Sequence, residues 1–575
     1  MISTAAIHKD PATFWRKIKN LMGNINPSPH YLFDQQNNKI KTPLGKERLL
    51  RNLWTEVYAG ESPPEDNEAE EHDTRINNYI EQHRHRTIPH AYIDTNILDS
   101  QTPLTIPFTV HDTKQIIKGL KKSSPGSSGI NKTILKHLPD NAIARLTSIF
   151  NFSLAAGYFP DIWKKATVRF IPKSGKDHRQ PSNYRPISLL EVPGKIFERL
   201  LNTRLRDHLD FNDKYNHHQY GFRVGRGTTD ALALITEQIA HYKADGGQCH
   251  IVMRDISKAF DKVWHLGLKF KILHLGLPEV VERLLCNFLD VRKARIKVDT
   301  VLGDFFNLAC GVPQGSVLSP TLFVVYTHDS PPSNTGFNIS YADDITQLIH
   351  YPGPSKEMLR LRTQREIENI NQYEKLWRIK TNLNKFTILR TGATTGNEIE
   401  ISGEQIPFHN VGKTLGLNIT NTGYNTHINT RNKLGRRKLT QLYRFKEMPM
   451  RTKLHLIKTL ILPLLDYPSI PTHIMCKTQL KKLQITQNKA LRFAANQRYP
   501  YTMNTIELHD FTKTTPINIR LYQRALKTWE KLELHDNEHF LSLQENITNI
   551  TTFNTRFPSS LINIMHNNEP DPIYN

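Results

Sequence analysis

Residues 338–349 read NISYADDITQLI, and this run sets how the middle of the chain folds. Apolar and polar residues alternate through Phe337, Ile339 and Tyr341. Asp343 and Asp344 follow at a turn, and Ile345 and Leu348 resume the pattern. Alternation with period two marks a strand with one buried face. The run therefore predicts a β-hairpin with two adjacent carboxylates at its tip. Successive strand side chains point to opposite faces, so one aspartate can ligate a metal while its neighbour stands beside the site. Asp also favours turns for reasons unrelated to metals, so the pair alone decides little.

A second run gives the pair company. Residues 251–264 read IVMRDISKAFDKVW: an apolar strand (Ile251, Val252, Met253) runs into Asp255, and a helical segment begins near Ser257. A carboxylate at a strand end can meet a hairpin tip across a sheet. Hard divalent cations such as Mg²⁺ need several oxygen ligands, which three such aspartates can supply. A third run, GVPQGSVLSPTLF at 311–323, frames Gln314 and Ser316 with two glycines and two prolines ahead of an apolar helix. Glycine permits close backbone approach, and an exposed glutamine there can touch a ligand. A stiff loop before a buried helix explains the same residues equally well.

Outward from this centre the texture is mixed. Helical patterns (Ile116, Ile117, Leu120; Leu146, Ile149, Phe150, Leu154) alternate with short strands such as Val168–Ile171 from Asp112 to about residue 420, which predicts an α+β core. Ser355–Trp377 reads as one amphipathic helix through Leu359, Ile367, Ile370, Tyr373 and Trp377. Beyond residue 425 strands give way to basic helical sequence, with Arg431, Lys433, Arg436, Arg437, Lys438, Arg444 and Lys446 close together. Residues 1–109 read as a connector. Within it, Asp10–Leu21 is expected to be a short amphipathic helix, and Glu61–Asp73, acidic and proline-bearing, a solvated linker. Residues 511–575 read as a tail, with partial order expected from about 535.

Lys and Arg outnumber Asp and Glu by 76 to 54, a net charge of +22, which favours a polyanionic partner through counterion release. Cys249, Cys286, Cys310 and Cys476 are far apart and form no CxxC pair. That argues against a zinc ribbon or a disulfide framework and fits a reducing, intracellular compartment, nucleus or cytoplasm. The N-terminus carries Lys9 and Asp10 where a secretion signal needs an apolar core. The most apolar stretch, Leu454–Leu465, is too short to span a bilayer, so no membrane partner is expected.

Taken in order, the blocks resemble the reverse transcriptases of non-LTR (LINE-type) retrotransposons, most closely the jockey-like ones. The blocks are SSPGSSGI (123–130), FIPKSGKD (170–177), NYRPISLL (183–190), HQYGFRVGRGTTDAL (218–232), DISKAFDKVW (255–264), GVPQGSVLSPTLF (311–323) and YADD (341–344). WRIKTNLNKF (377–386), KTLGLNIT (413–420) and KLQITQNKALR (482–492) continue the series. Each is moderately specific alone; all of them in family order over about 110–500 are far more so.

The resemblance implies a right-hand polymerase, with fingers and palm over 110–420 and a helical basic thumb over 421–510. It implies RNA-directed DNA synthesis from a DNA primer on an RNA template, using dNTPs and Mg²⁺ or Mn²⁺. Asp255, Asp343 and Asp344 match the catalytic metal-binding carboxylates. Phe260 matches an aromatic gate against ribonucleotides. Lys173 and Arg185 match finger residues that face the triphosphate, Gln314 the nucleotide pocket, and Lys385 a lysine assigned to protonating pyrophosphate. Arg431, Lys433, Arg436, Arg437 and Lys438 would track the duplex backbone.

Two departures stand out. Arg254 precedes Asp255 where relatives have a small or apolar residue; it either reaches phosphate or is an accepted change. Serines fill 123–129 where relatives have a Gly-Pro-Asp-Gly run. Family members commonly open with an endonuclease domain. The residues before 110 are expected not to house one, nor those after 500 an RNase H domain. A catalytically dead nucleic-acid-binding relic stays open as an alternative. A viral RNA-copying polymerase is disfavoured by Ala342 and Phe260, where those enzymes carry Gly-Asp-Asp and a group admitting the 2′-hydroxyl. The oligomeric state is left open.

Overall fold

A computed structural model describes Trp15 and residues 29–60, 66–89, 102–121, 124–244, 248–334, 336–391, 398–401, 403–469, 475–534 and 570–574. The helix expected over Asp10–Leu21 and the partial order expected from 535 fall essentially outside the described residues.

The strand Gln248–Asp255 lies at the centre of a five-stranded sheet. On one side it pairs antiparallel with Asp344–Tyr351, which pairs in turn with Gly336–Tyr341. On the other side it pairs with Thr387–Arg390, and Phe408–His409 closes that edge in parallel. Six of the central strand's eight positions are buried, His250 and Arg254 among them, because both of its faces are covered. Cys249, Ile251 and Met253 share a core with Leu232, Ile235 and Ile239 of the helix Thr228–Ala244 and with Ala525 and Trp529 of the helix Ile517–Leu534. Val252 packs the other way, with Leu359 and Ile367 of the helix Lys356–Leu376. Ser355 caps that helix and Trp377 ends it, matching the expected amphipathic span. Each fully buried Leu or Ile contributes about 1.5–3 kcal/mol, so the sheet holds the aspartates on a stiff support.

A second sheet, ordered Tyr184–Leu189, Lys165–Pro172, Lys293–Val298 and Val301–Leu302, stands beside it. The helix Pro43–Tyr58 covers it, burying Leu50, Trp54, Val57 and Tyr58 against Ala166, Val168, Ala294 and Ile296. This part of the connector is thus built into the core. The linker expected over Glu61–Asp73 is corrected in its second half, where a helix spans Asn67–Gln82. Asp66 caps it, Glu68 and Glu70 sit favourably in its first turn, and Ala69, His72, Ile76 and Ile80 are buried at helical spacing. The acidic residues are a helix start rather than a sign of solvated chain.

Beyond residue 420 the described chain is helical. Asn425–Leu442, Met450–Leu460 and Lys477–Ala494 pack around Ile428, Leu439, Leu456, Ile457 and Leu483. Order continues past residue 510, since Ile517–Leu534 joins the central core. The four cysteines form no disulfide among the described residues, and no helix among those residues is long and apolar enough to cross a membrane.

Candidate active site

The sheet register brings the aspartates together. Asp344 stands directly opposite Asp255, and Ile345 opposite Arg254. Opposed residues on antiparallel strands share a face, so Asp255 and Asp344 point to one side while Arg254 points to the other. Ala342 and Asp343 make the two-residue turn, with Ala342 left-handed at φ 60°. Main-chain bonds fix the junction: Ile256 N–H donates to Asp343 O (3.1 Å), Asn382 N–H to Asp255 O (2.8 Å) and Ser257 N–H to Lys380 O (2.7 Å). Two distant segments, the turn at Asp343 and residues 380–382, therefore converge on Asp255.

An outer edge holds the hairpin. Tyr220 N–H donates to Ser340 O (2.7 Å), and Ser340 N–H to His218 O (2.8 Å). The buried Gln219 side chain accepts from the amides of both Gly221 and Ala342, each at 2.8 Å. Gly221 lies so close that a β-carbon there would sit 2.2 Å from Ala342 N. The sequence blocks contained Gln219 and Gly221 without assigning them work. Their contact with a turn over 100 positions away leaves no local signal.

Negative charge is concentrated here. Asp343 is held above the usual carboxylate range by burial and then by the charge of Asp255; Lys385 and Arg185 pull it back down. Asp344 opens to solvent at the tip, but surrounding protein and then the charges of Asp343 and Asp255 push its pKa up to about 6. Lys385 Nζ donates to both oxygens of Asp255 at 2.7 Å. Three acceptor-only oxygen groups that repel one another fit hard divalent cations in donor chemistry. With the ammonium seated on Asp255, no group of three or more His, Cys, Asp or Glu side chains among the described residues stands close enough to enclose an ion. The donor chemistry suits the cation, although the three side chains do not themselves enclose one.

Of the expected nucleotide-binding residues, Lys385 contacts Asp255 and Arg185 acts by charge on Asp343. Arg185 lies in the strand Tyr184–Leu189 and Lys173 directly follows its antiparallel partner Lys165–Pro172, where Lys173 Nζ donates to Ser182 O (3.0 Å). Burial, then the charges of Arg185 and Lys385, hold the Lys173 ammonium below its ordinary pKa, so these cations crowd one space. Phe260 is half-buried, stacked on Phe323 (5.1 Å, 18°) and edge-on to Phe222 (5.8 Å, 90°). Gln314 O accepts from Ser188 N–H (2.8 Å), tying its loop to the second sheet. Ser316 turns away from the site: its hydroxyl donates to the buried Glu198 carboxylate (2.5 Å), which also accepts from Val317 N–H (2.5 Å) at the start of the next helix.

Arg254 does not reach toward phosphate. It is buried, and its Nη1 donates to Glu374 Oε1 (3.1 Å) on the opposite face. On the helix Asn425–Leu442, Lys433, Arg436 and Arg437 are exposed and Lys438 is half-buried. Arg431 instead bridges to the hairpin Val411–Thr420, donating to Gly416 O (3.0 Å) and lying over the Tyr467 ring.

Residues 171–419 match the family described as "Reverse transcriptase (RNA-dependent DNA polymerase)". The chain is 30% identical over 459 residues to the probable RNA-directed DNA polymerase from transposon X-element of Drosophila melanogaster, covering 76% of this chain and 49% of that protein. It is 30% identical over 463 residues to the RNA-directed DNA polymerase from mobile element jockey of the same fly, covering 76% and 50%. A solved telomerase from Candida tropicalis aligns at 13% identity and TM-score 0.32 over 49% of this chain and 59% of that one. The chain spans about half the length of the curated relatives it matches.

Proposed function

We propose that this chain, whose residues 171–419 match the reverse transcriptase family, is the RNA-directed DNA polymerase of a non-LTR retrotransposon, extending a DNA primer on an RNA template with dNTPs. The observation that carries the reading is the register of Asp255 against Asp344, with Asp343 at the turn and Lys173, Arg185 and Lys385 within electrostatic reach. Carboxylates and cations arranged in this way suit phosphoryl transfer, where positioning and charge stabilisation supply most of the acceleration.

Asp255, Asp343 and Asp344 would hold Mg²⁺ or Mn²⁺. When bound, such ions favour the attacking 3′-oxygen and the departing pyrophosphate by charge. Lys173 and Arg185 bind the triphosphate. The Phe260 ring crowds the sugar where a 2′-hydroxyl would lie, and Gln314 lines the nucleotide pocket. Lys385 delivers a proton to the pyrophosphate oxygen, work an ammonium does when well placed. Lys433, Arg436, Arg437 and Lys438 follow the duplex backbone, and Arg431 holds their helix to the adjoining hairpin. On this reading residues 110–245 act as fingers, the central sheet to 420 as palm, and the helices to 510 as thumb. Four cysteines without a disulfide suit the nucleus or cytoplasm.

The test is primer extension by the purified chain with a DNA primer annealed to an RNA template, dNTPs and Mg²⁺. Extension that Asp343→Ala abolishes is the expected result. Equal extension by that variant overturns the site. Salt-sensitive duplex binding without extension by the wild type points to a relic.

A further inference from the structure

Directly after Phe260, the Asp261 side chain is 3% exposed and carries a carboxyl that no part of the mechanism above uses. Two neutral donors end on it: Tyr58 Oη on Oδ1 (3.1 Å) and Gln314 Nε2 on Oδ2 (2.8 Å). The main chain locks the same contact. Gly311 N–H donates to Val263 O (2.8 Å) and Val312 N–H to Phe260 O (2.7 Å), so the Gln314 loop is stitched along residues 260–263. Gly311 is left-handed at φ 86°, and a β-carbon there would stand 2.6 Å from Asp261 O. Only glycine allows this approach without strain.

A side-chain amide has two chemically opposite ends, and its orientation follows from its partners. An ionised carboxylate only accepts. Facing Asp261, Gln314 must therefore present its NH₂ group there, which puts Oε1 at the other end of the amide. Tyr58 comes from the helix Pro43–Tyr58, outside every sequence block that pointed to the site. Its hydroxyl fixes the second oxygen, so the carboxylate cannot rotate away from Gln314 without losing a bond.

We propose that Asp261 is a positioning residue for nucleotide selection: held by Tyr58, it turns the Gln314 amide so that Oε1, an acceptor, is offered to the incoming nucleotide. This rests on the polymerase reading and adds to it an orienting device that joins the N-terminal helix to the nucleotide pocket. Burial lifts the Asp261 carboxyl to about 7, so the device is set in its accepting form in alkaline assay buffers.

The test is single-nucleotide addition by the full chain at pH 8.5, with kcat and dNTP KM measured for four variants. Asp261→Asn keeps the shape and accepts either orientation of the amide. One neutral hydrogen bond's preference predicts a dNTP KM raised about fivefold, with kcat changed less than about twofold and Tm not lowered. Tyr58→Phe shifts KM in the same direction by less. In the Gln314→Ala background, Asp261→Asn adds nothing further, because the group it orients is gone. An unchanged KM overturns the inference, as does an equal rise in both backgrounds, or a joint fall of kcat and Tm. If the wild type extends and only these relations fail, the polymerase reading stands and the inference falls. If the wild type does not extend, both fall.

Discussion

Lys385 Nζ lies 2.7 Å from each carboxylate oxygen of Asp255, a contact between residues 130 positions apart. The ammonium occupies oxygens that a divalent cation would need, so the two compete. Lys385→Ala is expected to lower the Mg²⁺ concentration for half-maximal extension by about two- to fivefold, because the lysine is mostly exposed and its pairing is screened. The maximal rate is expected to fall as well, through loss of a proton donor. A Mg²⁺ titration of primer extension measures both; a half-maximal concentration that rises or stays fixed rejects the competition.

Gly221 and Ala342 touch where the outer edge meets the aspartate turn. A β-carbon at Gly221 would meet main-chain atoms of Tyr341 and Ala342, which cannot move without moving Asp343. Gly221→Ala is therefore expected to cut kcat at least tenfold, an effect on the order of that from a small misplacement of reacting groups. Stability should fall by about 1–3 kcal/mol from overpacking. Single-turnover extension with a parallel urea melt separates the two. Normal kcat would show that the turn tolerates displacement.

Arg254 and Glu374 form a buried pair behind the site, and Glu374 also accepts from the Thr381 hydroxyl (2.8 Å). Glu374→Ala leaves a guanidinium buried without its counter-charge, a loss of about 3–5 kcal/mol. The joint change Arg254→Met with Glu374→Leu removes both charges and is expected to recover most of that loss. Denaturant midpoints of the three proteins decide it. Equal destabilisation by the single and double variants refutes the pairing argument.

The aspartate hairpin and its central strand were legible because their signal is local: alternation in one run and a short apolar run in the other, each meeting a carboxylate. The long helix 356–376 was legible for the same reason, through the spacing of its apolar residues. Arg254 was not. Its face follows from strand alternation, but its partner lies 120 positions away on a helix. Gln219, Tyr58 and Asp261 were missed because their work is done on atoms of distant segments. The helix from Asn67 was misread by letting composition outweigh period: Ala69, His72, Ile76 and Ile80 carry the spacing beneath an acidic surface.

Asp261 also makes a prediction about pH. Burial is the largest influence on its carboxyl and raises it to about 7; the bonds from Tyr58 and Gln314 and the charges of Lys258 and Lys173 act in the opposite direction. In the unfolded chain the group titrates near 4. The folded pKa is the higher one, so the contribution to stability is fully present below the unfolded value and is lost as pH rises through about 7. Asp261→Asn cannot ionise and escapes that loss. The Tm of the variant relative to wild type is thus expected to climb between about pH 4 and pH 7 and to level off above. Thermal melts across that range in one buffer series measure the difference, and a Tm gap that stays flat with pH refutes the buried titration.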